Sequence, residues 1–417
     1  MTDTPYRFSK SEALFKRAKQ VIPNGISGHF NPAVQVPAGT YPFYVEKAKG
    51  AHFWDVDGNK YIDYMCAYGP MILGYENQLI DGAFQRQAAK ADTCSLASPI
   101  MVELAEYLVD LVPFASWASF AKNGADATNM AVLIARAATG RRKIIAIDGG
   151  YHGVAPWMLS PERGGISPRD GAEVIRIPWN DIPALRQALA DNSGQVAAFI
   201  SSPYHHPVYQ DNQMPAEGYW STVQSVLKAA GVVSICDDVR AGFRVDMKGS
   251  NHYFGYEPDL TCYCKAIANG YPISALMGND ELKDAAESIF QTGSFWFSAA
   301  PMAAALACLK EMKAIDAPGL IRATGERLIA GLKDVSDSHD YRLQATGMPS
   351  MPFLRIVHES GAGFHQALCG EVTRHGVFMA SHHNLFVSAS HTDDDLKTTW
   401  DVFDKAFSTL KAKYGGD

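Results

Sequence analysis

The 417-residue chain has no excess of basic residues. Its 37 lysines and arginines stand against 44 acids, a formal net charge of −7. A phosphate backbone is held by a basic face, so nucleic acid is not an expected partner; the densest basic cluster, "GRRKIIAI" (140–147), is short. Also missing is any apolar run long enough to span a bilayer, and the charged N-terminus "MTDTPYRFSKSEALFKRAKQVIP" has no apolar signal core. No membrane partner is expected. The seven cysteines are odd in number and irregularly spaced, which does not make a disulfide framework. They suit a reducing compartment, and the expected location is cytoplasmic. Cys262 and Cys264 have no second pair at ligand spacing, so no metal site is expected. No Gly-x-Gly-x-x-Gly follows an early strand, which removes the fingerprint of a nicotinamide dehydrogenase.

What is present suits one large domain and a smaller one, since 47% of the residues are apolar. After a helical stretch near 9–21, "IPNGISGHFNPAVQVPAGTYP" (22–42) reads as an extended arm. "AHFWDVDGNKYIDYM" (51–65) reads as a hairpin turning at Asp57-Gly58. "KIIAID" (143–148), "VAAFIS" (196–201) and "VVSIC" (232–236) are continuously apolar, as buried parallel strands are. Alternation with helical patterns from about 70 to 310 gives an α/β class with a mostly parallel central sheet flanked by helices. The tail after about 313 reads as a smaller α+β domain, with Thr392 and Asp395 forming a capping box for a final helix. The expected boundaries are an arm and hairpin over 1–65, a large domain over 66–312 and a small domain over 313–417.

In open α/β sheets, ligands bind beyond the carboxyl ends of the strands. Asp237 and Asp238 sit at such an end, and Lys265 at what looks like another. An acid and a lysine converging there can form a salt bridge. Alternatively, the lysine is a nucleophile that forms a Schiff base with a carbonyl, while the acid keeps a heterocycle nitrogen protonated, as pyridoxal phosphate requires. "FAKNGADATNMAVLIARAATG" (120–140) offers either an ordinary capped helix or, at Asn123, Gly124 and Ala125, backbone N–H groups for a phosphate. "GGYHG" (149–153) places Tyr151 and His152 at the next strand end, as packing or as a ring-stacking platform.

These pieces occur in this order in class III aminotransferases, of the fold-type I pyridoxal phosphate enzymes. The chain resembles them from about residue 9 to 410. "NGADAT" stands where the family has Ser-Gly-Thr-Glu-Ala-Thr, and "GGYHG" matches its Tyr-His-Gly. "DDVRAGFR" matches Asp-Glu-Val-x-x-Gly-Phe-Arg, and "KAIANGYPISALMG" the Lys-x-x-x-Gly-x-Pro segment. The resemblance implies pyridoxal 5'-phosphate as cofactor and Lys265 as its attachment point and proton shuttle. It implies Asp237 on the pyridine nitrogen, Tyr151 and Val239 on opposite ring faces, His152 nearby, and Gly124 and Ala125 on the phosphate. It also implies a homodimer or a dimer of dimers, with the active site at the interface.

Several departures carry information. The family's threonine five residues before a proline is here Trp296 before Pro301, leaving Ser294 or Ser298 for a contact with the neighbouring subunit's phosphate. The Glu-Pro after the middle strand is Ser202-Pro203, followed by Tyr204, His205 and His206, which suit either cofactor or substrate contacts or a structural role. Glutamate semialdehyde aminomutases, members of the same class, hold a substrate carboxylate with an arm arginine. Residues 18–85 here contain no arginine, and Ala33 falls near the expected position. Those mutases have Phe-Glu where this chain reads His382-His383. "SFWFSAAPM", "YMCAYGP", "DDVRAGFRV" and "HHNLFVSASHT" look closest to the fumonisin aminotransferase branch, which deaminates the primary amine of a long amino-polyol with pyruvate as acceptor. The expected reaction is transfer of an amino group from an amine lacking an α-carboxylate to a keto acid such as pyruvate. Tyr68, Trp296 and Phe297 would line an apolar substrate pocket, or serve only as packing. Arg240 and Arg244 are weaker candidates for keto-acid recognition. The alternative is an aminomutase, which "YGPMILGY" favours and the missing arm arginine opposes.

Overall fold

The computed structural model describes residues 4–26, 36–160 and 162–414. Two compact units emerge, one from residues 78–207 and 213–318, the other from 1–77, 208–212 and 319–417.

The first unit is built on a seven-stranded sheet. Its strands lie in the order Trp117–Ala121, Ser274–Gly278, Leu260–Tyr263, Val233–Asp237, Val196–Ser201, Lys143–Ile147 and Val174–Ile177. Ser274–Gly278 runs antiparallel to both its neighbours, and every other pairing is parallel. All six residues of Val196–Ser201 are buried, because helices cover both faces of the sheet. Successive strand residues face opposite layers. Ile144 and Ala146 pack with Ala127, Ala131 and Ala135 of the helix Gly124–Thr139, where alanines let helix and sheet approach closely. Ile145 and Ile147 pack instead with Tyr219, Trp220 and Val223 of the helix Tyr219–Ala230. The parallel strands all end at one edge of the sheet, and the loops that leave them carry the chemistry-bearing residues.

The second unit contains the sheet of Val45–Lys49, His52–Asp55 and Lys60–Asp63, extended in parallel by Val377–Phe378. It also holds the hairpin of Arg342–Thr346 and Phe353–Val357. Its final helix, Asp393–Tyr414, is entered as the sequence suggests: Asp395 Oδ2 accepts from the Thr392 N–H at 2.9 Å and its hydroxyl at 2.8 Å. "FVSAS" (386–390) belongs to no strand; its N–H groups go in turn to the carbonyl of Tyr64, the carbonyl of Ser350, His391 Nδ1, the carbonyl of Ile72 and Ser388 Oγ. Five separate acceptors leave it no ladder partner.

The segment Cys66–Tyr68 takes positive φ at three successive non-glycine residues, 46°, 53° and 65°. Each costs roughly 1–2 kcal/mol over a right-handed conformation, so the surroundings must impose it. Cys66 Sγ donates to the carbonyls of Asp63 and Phe386. Gly69 follows at φ 110°, with the Phe386 ring where a Cβ would stand. Among the described residues no helix is long and apolar enough to cross a membrane.

Candidate active site

Asp237 is the last residue of its strand, and its buried carboxylate is fully directed. Oδ2 lies 2.6 Å from His152 Nδ1, and Oδ1 accepts the Val239 N–H at 3.1 Å. His152 is buried on the loop after Lys143–Ile147. That loop is tied down in turn, because its His152 carbonyl accepts the Thr128 hydroxyl at 2.7 Å. Thr128 belongs to the helix Gly124–Thr139, so one chain of bonds links helix start, loop and acid. The neighbouring Asp238 points elsewhere. It accepts the Ser250 N–H at 2.8 Å, and burial pushes its carboxyl up to about 7. The two adjacent acids therefore divide: one faces the loops, the other holds a turn.

Lys265 opens the one-turn helix Lys265–Ala268 with φ 42°, a region sparsely used by non-glycine residues and often found at functional sites. Asp237 is bound to His152, and among the described residues Lys265 forms no ion pair. The residue keeps some accessible surface, yet its amine is enclosed. Burial first, and then the Arg240 guanidinium, bring it down to about 7. No salt bridge to Lys265 forms among the described residues, and an amine brought down to about 7 is present near that pH in part as the neutral form, a nucleophile and a base.

The third component is the start of Gly124–Thr139. Asp126 Oδ2 accepts the N–H of Asn123 at 2.8 Å and of Lys122 at 3.2 Å, which fixes the helix entry. A Cβ on Gly124 would stand 2.7 Å from Val239 Cγ1, and one on Gly153 2.6 Å from the Ala125 Cβ. The backbone here is bare because its neighbours leave no room. The first N–H groups of a helix have no intrahelical acceptor and carry the positive end of its dipole, so an anion fits. Buried His152 Nε2 also has no hydrogen-bond partner. A directed carboxylate, an unpaired lysine and a bare helix start fit a phosphorylated heterocyclic aldehyde.

The remaining candidates are spread more widely. Tyr151 is 56% exposed, and Val239 is half-buried against the core. Ser294 is exposed; Ser298 is committed, its hydroxyl donating to Asp92 at 2.7 Å while that carboxylate also takes the Ala300 N–H. Trp296 packs partly into the core, and Phe297 is exposed. His205 stacks near Trp179, whereas the backbone carbonyl of His206 accepts Arg240 Nη1 at 2.8 Å. In the other unit the half-buried Tyr68 meets His383 edge-on, ring centroids 5.2 Å apart, and Tyr209 lies beside His382. Ala33 lies outside the described residues. Thr128 is the contributor that sequence reasoning missed. The threonine was visible in the "NGADAT" motif, but nothing in the sequence said what its hydroxyl would hold.

The Aminotransferase class-III family model matches residues 33–407. The chain belongs to the class III aminotransferases. This class III aminotransferase is 40% identical to the aminopentol aminotransferase of Sphingopyxis macrogoltabida, covering 96% of this chain and 94% of that protein. It is 30% identical to the glutamate-1-semialdehyde 2,1-aminomutase of Chloroflexus aggregans, covering 98% and 100%. The solved PLP internal aldimine form of the FumI protein of Sphingopyxis sp. MTA144 superimposes with a TM-score of 0.95, at 40% identity and 98% coverage of both chains.

Proposed function

We propose that this pyridoxal phosphate-dependent aminotransferase takes the amino group from a primary amine lacking an α-carboxylate, of aliphatic or amino-polyol type, and gives it to a keto acid such as pyruvate. The observation that carries the proposal is the pairing of Asp237 with His152, which leaves Lys265 as an amine rather than half of a salt bridge. Likeness to an aminopentol aminotransferase over nearly the whole chain supports the substrate class. So does the absence of arginine from residues 18–85, since a fixed guanidinium is what holds a carboxylate in two-pronged fashion.

When bound, pyridoxal phosphate supplies a carbonyl that captures the amine and a protonated ring that draws electrons from the neighbouring carbon. Lys265 Nζ is the attachment point and then the base that moves the proton from the amine-bearing carbon. Asp237 holds the proton on the ring nitrogen, kept in orientation by His152. Backbone N–H groups of Gly124 and Ala125, behind Asn123, take the phosphate. Tyr151 and Val239 flank the ring, Ser294 serves the partner subunit's phosphate, and Tyr68, Trp296 and Phe297 receive the substrate's apolar part.

We place the enzyme as a homodimer or dimer of dimers in the cytoplasm. Phe290 is 88% exposed, and Leu96 and Phe295 are also exposed apolar groups, of the kind that oligomers cover with a partner. All seven cysteines are free, as in a reducing compartment.

The test is a half-reaction. The cofactor-loaded enzyme is mixed with a long-chain 2-aminoalkane and no keto acid, and the cofactor absorbance is followed. Conversion to the aminated cofactor, reversed by pyruvate, is expected. No response to the amine, with a response to a diamino acid or amino-aldehyde, would assign the aminomutase reaction instead.

A further inference from the structure

Thr128 lies in the second turn of the helix Gly124–Thr139 and is buried. A threonine inside a helix commonly returns its hydroxyl to a carbonyl one turn back in the same helix. Here the Gly124 and Ala125 carbonyls stand 3.1 and 3.2 Å from Oγ1, whereas the His152 carbonyl stands at 2.7 Å. A hydroxyl has one hydrogen to give, and the shortest distance directs it across to the loop. Two further contacts press that loop on the same helix. A Cβ on Gly153 would meet the Ala125 Cβ at 2.6 Å, and Trp157 Nε1 donates to Asn129 Oδ1 at 3.0 Å.

These contacts close a circuit. From Thr128 the path runs to the His152 carbonyl, and from His152 Nδ1 to Asp237 Oδ2 at 2.6 Å. Asp237 Oδ1 takes the Val239 N–H at 3.1 Å, and Val239 Cγ1 lies 2.7 Å from where a Cβ on Gly124 would stand. Gly124 begins the helix that carries Thr128. The circuit joins three elements: the helix, the loop after Lys143–Ile147 and the end of Val233–Asp237. Thr128, His152 and Asp237 are all buried, so water competes little for their bonds. The helix start assigned to the phosphate and the acid assigned to the ring nitrogen thus belong to one closed set of contacts.

We propose that Thr128 is a positioning residue for the reaction: its hydroxyl holds His152, and through it Asp237, in register with the phosphate-binding start of its own helix. This inference rests on the reading of Asp237 and that helix start as the two ends of the cofactor site. A flat heterocycle gripped at both ends needs those ends at a fixed separation. Without the hydroxyl, the His152 carbonyl loses its buried donor and the loop is released to shift. A displacement of about 1 Å at a reacting centre can lower a rate by on the order of 10²-fold.

The experiment compares wild type with T128V, T128A and T128S. T128V keeps the shape and deletes the hydroxyl, while T128S keeps the hydroxyl and deletes the methyl. Three quantities are read: kcat and KM for the amine in loaded enzyme, circular dichroism of the bound cofactor, and hydrogen exchange over residues 150–158 of the unloaded protein. T128V and T128A are expected to lose kcat by roughly 10- to 100-fold, with little change in KM. Their cofactor dichroism should change, and their loop should exchange faster. T128S should stay close to wild type in all three. In the D237N background T128A should cost little further kcat, because the group it acts through is already lost. Losses in T128S equal to those in T128A would overturn the proposal, since the methyl and not the hydroxyl would then matter. Wild-type kcat and dichroism in a folded, loaded T128A would also overturn it, and T128A decides the matter if T128V does not fold. So would full additivity of T128A with D237N. A loaded wild type that converts no amine would instead overturn the reading on which the proposal rests.

Discussion

Asp237 and His152, 85 residues apart in the chain, meet through Oδ2 and Nδ1 at 2.6 Å. Both are buried, so their bond is little weakened by competing water. The acid is held in one orientation before any ligand arrives, and among the described residues Lys265 has no ion-pair partner. That single contact turns a carboxylate and a lysine at neighbouring strand ends into separate tools.

Replacing Lys265 should therefore remove chemistry without removing the fold. Lys265→Ala is expected to lower turnover by on the order of 10³-fold or more. Borohydride should no longer fix the cofactor to the protein, as read by mass spectrometry. Fixation at another lysine would show that the attachment point is elsewhere.

Asp237→Asn keeps the shape and deletes the charge. A loss in kcat of about 10²-fold or more is expected, because a neutral amide cannot hold a proton on a ring nitrogen. His152→Phe acts only through Asp237 and should cost less. In a double-mutant cycle the His152 effect should largely vanish in the Asp237→Asn background; full additivity would mean the two act independently.

Gly124→Ala places a methyl 2.7 Å from Val239 Cγ1. The helix start must then shift, and weaker cofactor binding is expected, with a stability loss of about 1–3 kcal/mol. Val239→Ala opens space on that side. The double variant should recover part of the stability, measured by melting with and without added cofactor.

Ala67 sits at φ 53° in the middle of a left-handed turn and is exposed. Ala67→Gly relieves strain of roughly 1 kcal/mol, partly offset by the freer unfolded chain. A small rise in melting temperature, with a fall in activity on large amines as the turn presenting Tyr68 loosens, is the expected pair of results. Unchanged activity would detach Tyr68 from substrate binding.

Asp238 supplies the pH dependence. Its carboxyl is raised by burial to about 7, against about 3.9 in an unfolded chain. Between those values the folded protein binds more protons, so stability falls as pH rises. This contribution is complete below about pH 4 and lost as pH passes about 7. Asp238→Asn, which cannot ionise, should flatten the stability profile over that window relative to wild type. Parallel profiles for the two proteins would remove Asp238 as the cause.

The sheet was legible because buried parallel strands must be apolar throughout, as "VAAFIS" is. The helix Gly124–Thr139 was legible because its alanines and aliphatics repeat at helical spacing. The final helix announced itself through Thr392 and Asp395. The antiparallel strand Ser274–Gly278 was not, since direction within a sheet leaves no mark in composition.

Residue types and their order along the chain determined which groups reach the strand ends: an acid, a lysine, a bare helix start and a Tyr-His loop. They also determined that no arginine lies between residues 18 and 85. Folding decided the pairings. Whether Asp237 faces Lys265 or His152, and whether Ser298 is free or bound to Asp92, depend on distances of a few ångströms between segments far apart in sequence. Hydrogen bonding and charge interaction in a buried site change sharply over such distances, and a linear pattern does not contain them.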